Sequence, residues 1–405
     1  MFFILNKNVY LVKGNTKGCI YDFNTSKLYS LNNKLMRLVD KVNNGHINND
    51  SLESNIKNIL NQLLKLKILI LSKVPIKRDI NEIKSHNENI DFAWIEVTNQ
   101  CNLRCIHCYN ESDINCTSVM SLENFKNVIN NLVELNVPKI QIIGGEPFFY
   151  KNILKEMIDY TLGKFKFIEI FTNGTLITKE WVDYISRNKI NIALSVYSYD
   201  KNEHDKVTGI KGSWEKTNAT INLLKQNNIN YRVCNILMKK INIGEKNTDL
   251  YELNNHSDVV RMSGRANIHL LSDELIKKKL ITQKTFKYSL KKELSSLLIS
   301  GHNCFRHKIY ISSDMKVFPC VMERRFKHCD INKKSKIILN KKICSFNKDI
   351  IETCNKCEYR YTCFDCRPNS FVENIYAKPW YCTYDPMTGI WADENEFISK
   401  LKNNL

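Results

Sequence analysis

The sequence predicts an α/β protein: a partial barrel of about six βα units, preceded by a small α+β domain and followed by a cysteine-rich domain. From Phe92 onward, short apolar strands alternate with amphipathic helices, which is the pattern of a parallel sheet with helices outside it. Nine of the fifteen cysteines fall between Cys304 and Cys382, where helical periodicity fades. The length of 405 residues allows two or three domains.

The composition is that of an ordinary globular protein, with 43% hydrophobic and 25% charged residues. No apolar run reaches the roughly 18 residues that span a bilayer, and the apolar start lacks the basic region of a signal peptide. We therefore expect a cytoplasmic protein that does not bind a membrane. The net charge of +18 favours an acidic partner, but the lysines are spread along the chain without interleaved aromatic residues, which does not favour nucleic acid.

The predicted N-terminal domain covers residues 1–80 and is followed by a polar linker over residues 81–91. Alternating apolar residues predict short strands, and two stretches with helical periodicity follow them. The predicted elements are strands at Val9–Val12, Gly18–Phe23 and Leu28–Ser30, and helices at Lys34–Val42 and Leu52–Leu66.

The predicted barrel covers residues 92–299. Its strands are expected at Ala93–Thr98, Lys139–Gly144, Phe167–Thr172, Asn191–Val196, Tyr231–Met238 and Asp258–Arg261. Its helices are expected at Leu122–Leu135, Lys151–Leu162, Lys179–Ser186, Ser213–Gln226 and Asn247–Leu253. Six units are too few to close an eight-stranded barrel, and the chemistry of such a sheet is expected at the C-terminal ends of its strands.

The segment TNQCNLRCIHCYN follows the first barrel strand and places Cys101, Cys105 and Cys108 at CxxxCxxC spacing. Three thiolates on one short loop can bind three irons of a 4Fe–4S cluster and leave the fourth iron open. The alternative is a zinc loop. Three cysteines without a nearby fourth are a poor zinc site, and His107, the possible fourth ligand, lies between two of them.

This loop resembles that of the radical S-adenosylmethionine (radical SAM) superfamily, and later motifs agree. The resemblance implies that SAM binds the open iron and yields a 5′-deoxyadenosyl radical. In IIGGEPF, Gly144 and Gly145 would let the backbone approach a ligand, and Glu146 would offer a carboxylate to the SAM ammonium group. Three further positions are implied to bind the cofactor: Asn173 in FTNGT, Ser195 at the ribose, and Arg261 in RMSGRA. For Arg261, a role in capping the barrel remains open. His204 is expected to be a structural loop residue.

The C-terminal region, residues 300–405, resembles the SPASM extension of radical SAM peptide and protein maturases. The resemblance implies two auxiliary 4Fe–4S clusters. The outer one would be held by Cys354, Cys357, Cys363 and Cys382, and the inner one by Cys304, Cys320 and Cys366. Structural zinc ribbons are the alternative, because CxxC pairs are common zinc ligands.

Two features of this region depart from the family pattern. Met315 stands where a glycine is usual, so that turn is expected to differ. The last two cysteines of the group of four are separated by two residues rather than three. Cys329 and Cys344 have no assigned role and, lying in a lysine-rich stretch, are expected to be exposed.

Across its length the chain resembles peptide maturases of the grasp-with-SPASM type. The resemblance implies that residues 1–80 form a winged-helix-like clamp, which adds the leader of a ribosomal precursor peptide as an extra strand. A structural cap is the alternative for this domain. The implied product is a thioether or another crosslink, with electrons from a reductant such as flavodoxin or ferredoxin.

Other functions were weighed against this one. A sulfatase-maturase-like side-chain oxidase is disfavoured because Val321, and not an acid, follows Cys320. A radical SAM enzyme with a non-peptide substrate and a non-catalytic iron–sulfur electron carrier are the remaining alternatives.

Overall fold

The middle of the chain forms most of one eight-stranded sheet. The computed structural model describes residues 1–47, 52–253, 258–287, 289–332, 335–370 and 372–403. The N-terminal elements are β1 (Phe2–Leu5), β2 (Val9–Lys13), β3 (Gly18–Asp22), β4 (Lys27–Leu31), α1 (Asn33–Asn43), α2 (Ser54–Lys65) and β5 (Leu69–Ser72).

The central elements alternate between strand and helix. They are β6 (Phe92–Glu96), α3 (Leu122–Glu134), β7 (Lys139–Ile143), α4 (Lys151–Thr161), β8 (Phe167–Thr172), α5 (Lys179–Arg187), β9 (Asn191–Ser195), α6 (Lys201–Thr208), α7 (Ser213–Gln226), β10 (Tyr231–Cys234), β11 (Ile236–Leu237) and β12 (Asp258–Val259).

The C-terminal elements are short. They are α8 (Asp273–Lys279), α9 (Lys292–Ser300), α10 (Asn303–His307), β13 (Lys308–Ile311), β14 (Lys316–Phe318), β15 (Cys329–Asp330), α11 (Lys341–Cys344), β16 (Tyr384–Asp385), β17 (Ile390–Trp391) and α12 (Glu394–Asn403). None of the helices in these described ranges is long and apolar enough to cross a bilayer.

The strand order of the main sheet is β10-β9-β8-β7-β6-β13-β14-β15, and the first six strands are parallel. The expectation of a partial, barrel-like parallel sheet is confirmed. Large apolar side chains from the strands, including Ile95, Ile142 and Ile170, pack against inward faces of the helices, such as Phe125 of α3. This packing leaves the C-terminal strand ends free to carry a site.

The sixth parallel strand is not the predicted one. Asp258–Arg261 was expected in the sheet, but β12 pairs only with β11, and the sixth place is taken by β13 beside β6. The predicted strand Tyr231–Met238 is interrupted at Asn235, a residue type that disfavours strands. The chain there passes from its pairing with β9 to its pairing with β12.

The predicted helix at Asn247–Leu253 is absent, although these residues are described. The backbone there is tied to the barrel by tyrosines: the amide of Leu253 donates to the Tyr199 hydroxyl at 2.6 Å, and the ring of Tyr251 stacks on that of Tyr199. A helix would need these backbone groups for its own hydrogen bonds. Conversely, α6, α8, α9 and α12 form where no helix was expected.

The N-terminal strands pack directly on the C-terminal cysteine region. Tyr10, Tyr21 and Cys19 share an apolar cluster with Tyr359 and Tyr384. The Tyr21 hydroxyl donates to the carbonyl of Glu358 at 3.0 Å, and Asn15 N donates to the carbonyl of Lys356 at 2.8 Å. The two ends of the chain are therefore one packed body, while the winged-helix character of the first 80 residues stays a prediction.

The predicted structural role of His204 agrees with its surroundings. His204 is buried in α6, where its Nδ1 accepts from the backbone N–H of Tyr197 at 3.2 Å. The neighbouring carboxylate of Asp205 accepts from Gly212 N and Trp214 N and from the Ser213 hydroxyl. Together these two side chains fold the loop that follows β9.

Met315 adopts a left-handed backbone with φ of 65°. The turn between β13 and β14 therefore keeps the left-handed conformation that glycine usually adopts, contrary to the expectation that this turn would differ. The side chain is buried in the main core cluster. A left-handed backbone costs a residue other than glycine about 1–2 kcal/mol, and the burial of the methionine side chain offsets this cost.

This balance predicts an unusual order of stability at position 315. Met315→Ala loses the buried side chain and keeps the strain, whereas Met315→Gly loses the side chain and relieves the strain. We expect the glycine variant to be the more stable of the two by about 1 kcal/mol, measured by urea unfolding. At Met157, buried in α4, the order should reverse, because alanine favours a helix. An alanine variant at 315 as stable as the glycine variant would contradict the strain.

The burial of His204 predicts a loss of stability in acid. Burial lowers its pKa to about 4, against 6.5 for an exposed histidine. The unfolded chain therefore binds this proton first, so the stabilisation is complete above pH 6.5 and is lost as pH falls towards 4. Between pH 7 and pH 5 we expect His204 to account for about 2 kcal/mol of the decrease in unfolding free energy.

The measurement is urea unfolding of wild type and His204→Asn at both pH values. Asparagine can still accept from the amide of Tyr197, and the variant should lose less stability on acidification than wild type does. His86→Asn, which removes an exposed histidine, is the matched control. Equal losses in wild type and His204→Asn would refute the prediction.

Candidate active site

A cavity of about 260 Å³ lies at the C-terminal ends of the parallel strands, as the βα pattern predicted. Its walls come from the ends of β7, β8, β9 and β10 and from the cysteine loop that follows β6. The sequence-predicted residues that line it are Cys101, Cys105, Cys108, Gly144, Gly145, Asn173, Ser195 and Arg261. Eight of the nine residues assigned to the first cluster and SAM therefore share one cavity, the exception being Glu146.

Backbone hydrogen bonds fix the cysteine loop over the strand ends. Cys101 N donates to the carbonyl of Asp113 at 3.0 Å, and Ile106 N donates to the carbonyl of Val207 at 3.0 Å. Arg265 binds the loop from outside, with its Nε donating to the carbonyl of Cys105 at 2.9 Å. Burial raises the pKa of Cys105 to about 12, so its thiolate needs a neighbouring cation.

Gly144 and Gly145 have a packing role that differs from the expected one. A Cβ atom on Gly145 would lie 2.3 Å from the carbonyl oxygen of Gln100, and one on Gly144 would lie 2.7 Å from that of Thr98. The close backbone approach is thus to the chain leading into Cys101. Gly145 N donates to the Thr98 carbonyl at 2.7 Å, which ties β7 to the cysteine loop.

Glu146 is fully buried, and the cavity lining does not include it. Its carboxylate accepts from the Thr172 hydroxyl at 2.7 Å, from Asn173 N at 2.8 Å and from Phe148 N at 3.0 Å. Burial raises its pKa to about 7, against the effect of these hydrogen bonds. In this arrangement the carboxylate joins the end of β7 to the end of β8.

Asn173 directly follows β8, and Ser195 is the last residue of β9. Asn173 Nδ2 donates to Asn102 Oδ1 at 3.0 Å, beside Cys101, and its Oδ1 accepts from Thr175 N at 2.9 Å. Ser195 lies at the end of β9 and hydrogen-bonds with the side chain of Tyr197. Both side chains present polar groups to the cavity at fixed positions.

The cavity contains functional candidates that sequence reasoning did not assign. His107 packs edge-to-face on Tyr197 at 4.9 Å between ring centroids, and its Nδ1 is buried without a hydrogen-bond partner in the described part of the chain. Burial lowers its pKa to about 4, so it is neutral at pH 7. Its place inside the cysteine motif was the available signal. Met322 also lines the cavity, and no sequence signal pointed to it.

Arg261 faces a second group of cysteines. Its guanidinium pairs with Asp258 and reaches the Met322 sulfur at 3.9 Å. It also lies near enough to Cys304, Cys320 and Cys366 to lower the pKa of each thiol, against the burial that raises them. These three cysteines are those implied for an inner group, so Arg261 lines the cavity and also lies near that group.

Tyr109 also lines the cavity and lies near both groups of cysteines. Burial raises its pKa, and Cys108 and Cys320 both add to the rise, so the phenol is close to a cysteine of each group. Cys329 and Cys344 are not among the residues that influence the inner three thiols. Both are half-buried and not exposed as expected, because Cys329 packs on the main core and Cys344 lies against α10.

Four further cysteines form an outer group. Cys354, Cys357, Cys363 and Cys382 line one cavity together with Lys348. Burial raises the pKa of Cys354 to about 12. Within the described ranges, no three His, Cys, Asp or Glu side chains converge as ligands of a single metal ion.

Part of the barrel is similar to proteins of known family. Residues 95–248 match the model of the radical SAM superfamily. The subtilosin biosynthesis protein AlbA of Bacillus subtilis is 36% identical over 174 residues, which are 42% of this chain and 37% of AlbA. GTP 3′,8-cyclase of Desulforamulus reducens is 34% identical over 125 residues, 29% of this chain and 38% of the enzyme. The chain thus matches less than two fifths of either relative's length.

Solved structures of similar shape include Streptococcus suis SuiB, with a TM-score of 0.44 and 14% identity over 92% of this chain and 99% of SuiB. Another is anSMEcpe with bound AdoMet, with a TM-score of 0.48 and 16% identity over 78% of this chain and all of that one. Residues 95–248, which match the radical SAM superfamily model, include the strands β7 to β10 whose ends line the cavity.

Proposed function

We propose that this chain is a radical SAM enzyme that modifies a ribosomally synthesised precursor peptide. The observation that carries the proposal is that Cys101, Cys105 and Cys108 line the same cavity as Ser195 and Asn173. The matched segment is 36% identical to AlbA, a bacteriocin biosynthesis protein, which favours a peptide substrate.

The residues present fit the groups that the family implies. Three cysteines on one wall supply thiolates for three irons, and the open cavity beside them has room for a ligand on the fourth. The buried, unpartnered Nδ1 of His107 and Nε of Arg261 offer further polar contacts. When bound, a 4Fe–4S cluster with SAM supplies an electron to the sulfonium and yields a 5′-deoxyadenosyl radical.

The chain's own residues then have separate tasks. Cys101, Cys105 and Cys108 bind the cluster, and Arg265 fixes their loop. Asn173 and Ser195 orient SAM at the strand ends. Glu146 accepts a hydrogen bond from the backbone N–H of Asn173 and holds that residue in place.

The two further cysteine groups would hold auxiliary clusters. Cys354, Cys357, Cys363 and Cys382 supply a complete set of four thiolates. Cys304, Cys320 and Cys366 would supply three, and Arg261 lowers the pKa of each of these thiols. An inner cluster with one open iron suits a cysteine of the substrate peptide, and a thioether or another crosslink is the product class that this ligand set favours.

The N-terminal unit would bind the leader of the precursor peptide. Large apolar side chains are exposed along α2, β5 and the following turn; they are Ile59, Leu66, Ile70, Leu71, Val74 and Ile76. An exposed apolar patch beside a short two-stranded sheet is suited to an added peptide strand. A flavodoxin or ferredoxin is the proposed reductant.

Replacing one cysteine of the first loop tests the catalytic proposal. Reconstituted wild type should bind roughly 12 irons per chain, four for each of three clusters. Cys105→Ala should bind roughly 8 and form no 5′-deoxyadenosine with dithionite and SAM, measured by metal analysis and chromatography. Cys116→Ala is the matched control, because Cys116 lies in the same loop region outside the cavity lining. Normal 5′-deoxyadenosine formation by Cys105→Ala would refute the proposal, and two zincs with four irons in wild type would refute the auxiliary clusters.

A charge placed in the apolar patch tests leader binding. Leu71→Asp should weaken binding of a fluorescein-labelled precursor peptide at least about tenfold, because it places a carboxylate where an apolar contact is expected. Fluorescence anisotropy gives the affinity. Ile338→Asp, at a highly exposed isoleucine far along the chain, is the control and should bind as wild type does. Unchanged affinity in Leu71→Asp would remove the patch from the leader site.

A further inference from the structure

A buried ammonium group lies against the outer cysteine group. Lys348 Nζ donates to the sulfur of Cys363 at 3.2 Å, and it forms an ion pair with Asp365 at 2.8 Å. The side chains of Lys348 and Asp365 are 7% and 1% exposed, so water does not screen these contacts.

The neighbouring residues fix the direction of Lys348. Asn347 Nδ2 donates to the carbonyl of Ile299 at 2.8 Å, and Asp349 accepts from Arg360 Nε and from the Tyr361 hydroxyl, each at 2.8 Å. Ile351, three residues on, is buried. Since both flanking side chains are held by other elements, the backbone directs the ammonium group inward.

The charges around Lys348 do not balance without the cysteines. Asp365 also pairs with Arg367, whose side chain is buried as well. Two cations and one anion leave one positive charge in the interior, and burying an uncompensated charge is costly. Four thiolates binding a cluster supply negative charge at this place, and Cys354, Cys363 and Cys382 lie around the ammonium group in the same cavity.

We propose that Lys348 is the positioning residue that sets how readily the outer cluster accepts an electron. The inference rests on the proposed function, because it requires a cluster on the outer four cysteines. Hydrogen bonds to ligand sulfurs and nearby positive charge both stabilise the reduced, more negative state of a cluster. The N–H···S contact and the fixed charge of Lys348 therefore raise the reduction potential and favour passage of electrons through this group.

The test is a redox titration followed by electron paramagnetic resonance on full-length, reconstituted protein. The background carries Cys101→Ala, Cys105→Ala and Cys108→Ala, and the outer signal is the one that Cys382→Ala removes. We expect Lys348→Met to lower the equilibrium constant for reduction at least tenfold, which is about 59 mV in midpoint potential. Lys348→Arg, which keeps the charge, should shift it less.

Lys356→Met is the matched control. Lys356 lies between two of the ligands but is exposed, so removing its screened charge should change the equilibrium constant less than about threefold. If the midpoint potential of Lys348→Met is the same as that of Lys356→Met and of the background protein, the proposal is overturned.

Asp365→Asn distinguishes an electrostatic effect on the potential from a structural loss of the outer cluster. It removes a negative charge and leaves the lysine in place, so the potential should rise where Lys348→Met lowers it. If Lys348→Met fails to retain four irons in the outer site, the Asp365→Asn variant provides the test. An unchanged or lower midpoint potential in Asp365→Asn then overturns the proposal. Zinc instead of iron in the outer site of wild type would overturn the cluster itself, whereas full iron with an unshifted potential would overturn only the role of Lys348.

Discussion

The packing of the Gly144–Gly145 backbone against residues 98–100 fixes the position of the cysteine loop relative to the ends of the strands, and the rest of the site depends on that position. Any side chain on Gly145 would meet the carbonyl of Gln100 at 2.3 Å, so the two strand ends can touch only through glycine. The hydrogen bond from Gly145 N to the Thr98 carbonyl then starts the cysteine loop at a fixed height above the sheet. Because neighbouring parallel strands end at the same edge, the loop faces the ends of the next three strands.

Placing ten cysteines in three groups creates an electrostatic problem that the fold meets in a consistent way. Burial disfavours the charged form of a thiol, and neighbouring thiolates disfavour one another. Each cysteine group has a basic side chain beside it. Arg265 lies by Cys105, Arg261 by the inner group and Lys348 by the outer group. These cations reduce the cost of ionised ligands while leaving the sulfurs free to bind metal.

Contacts between the N-terminal strands and the C-terminal cysteine region join the two ends of the chain. The three-stranded sheet of β2, β3 and β4 packs on the segment that carries the outer cysteines, through tyrosines that are buried on both sides. The Tyr21 hydroxyl binds the carbonyl of Glu358, next to Cys357. The N-terminal strands are thereby joined to the cysteine region, so the outer group depends for its shape on the first 30 residues.

Much of the site could be read from the sequence, because local patterns determine it. Strand–helix alternation predicted five of the six parallel strands, and short spacing predicted the cysteine loop that follows β6. Other features depend on contacts between residues far apart. The sixth strand, β13, is recruited from beyond the predicted barrel, and the helix expected at Asn247–Leu253 gives way to hydrogen bonds with tyrosines. Lys348 shows the reason: sequence gives its charge, but only the packing around Asn347 and Asp349 decides whether that charge meets water or Cys363.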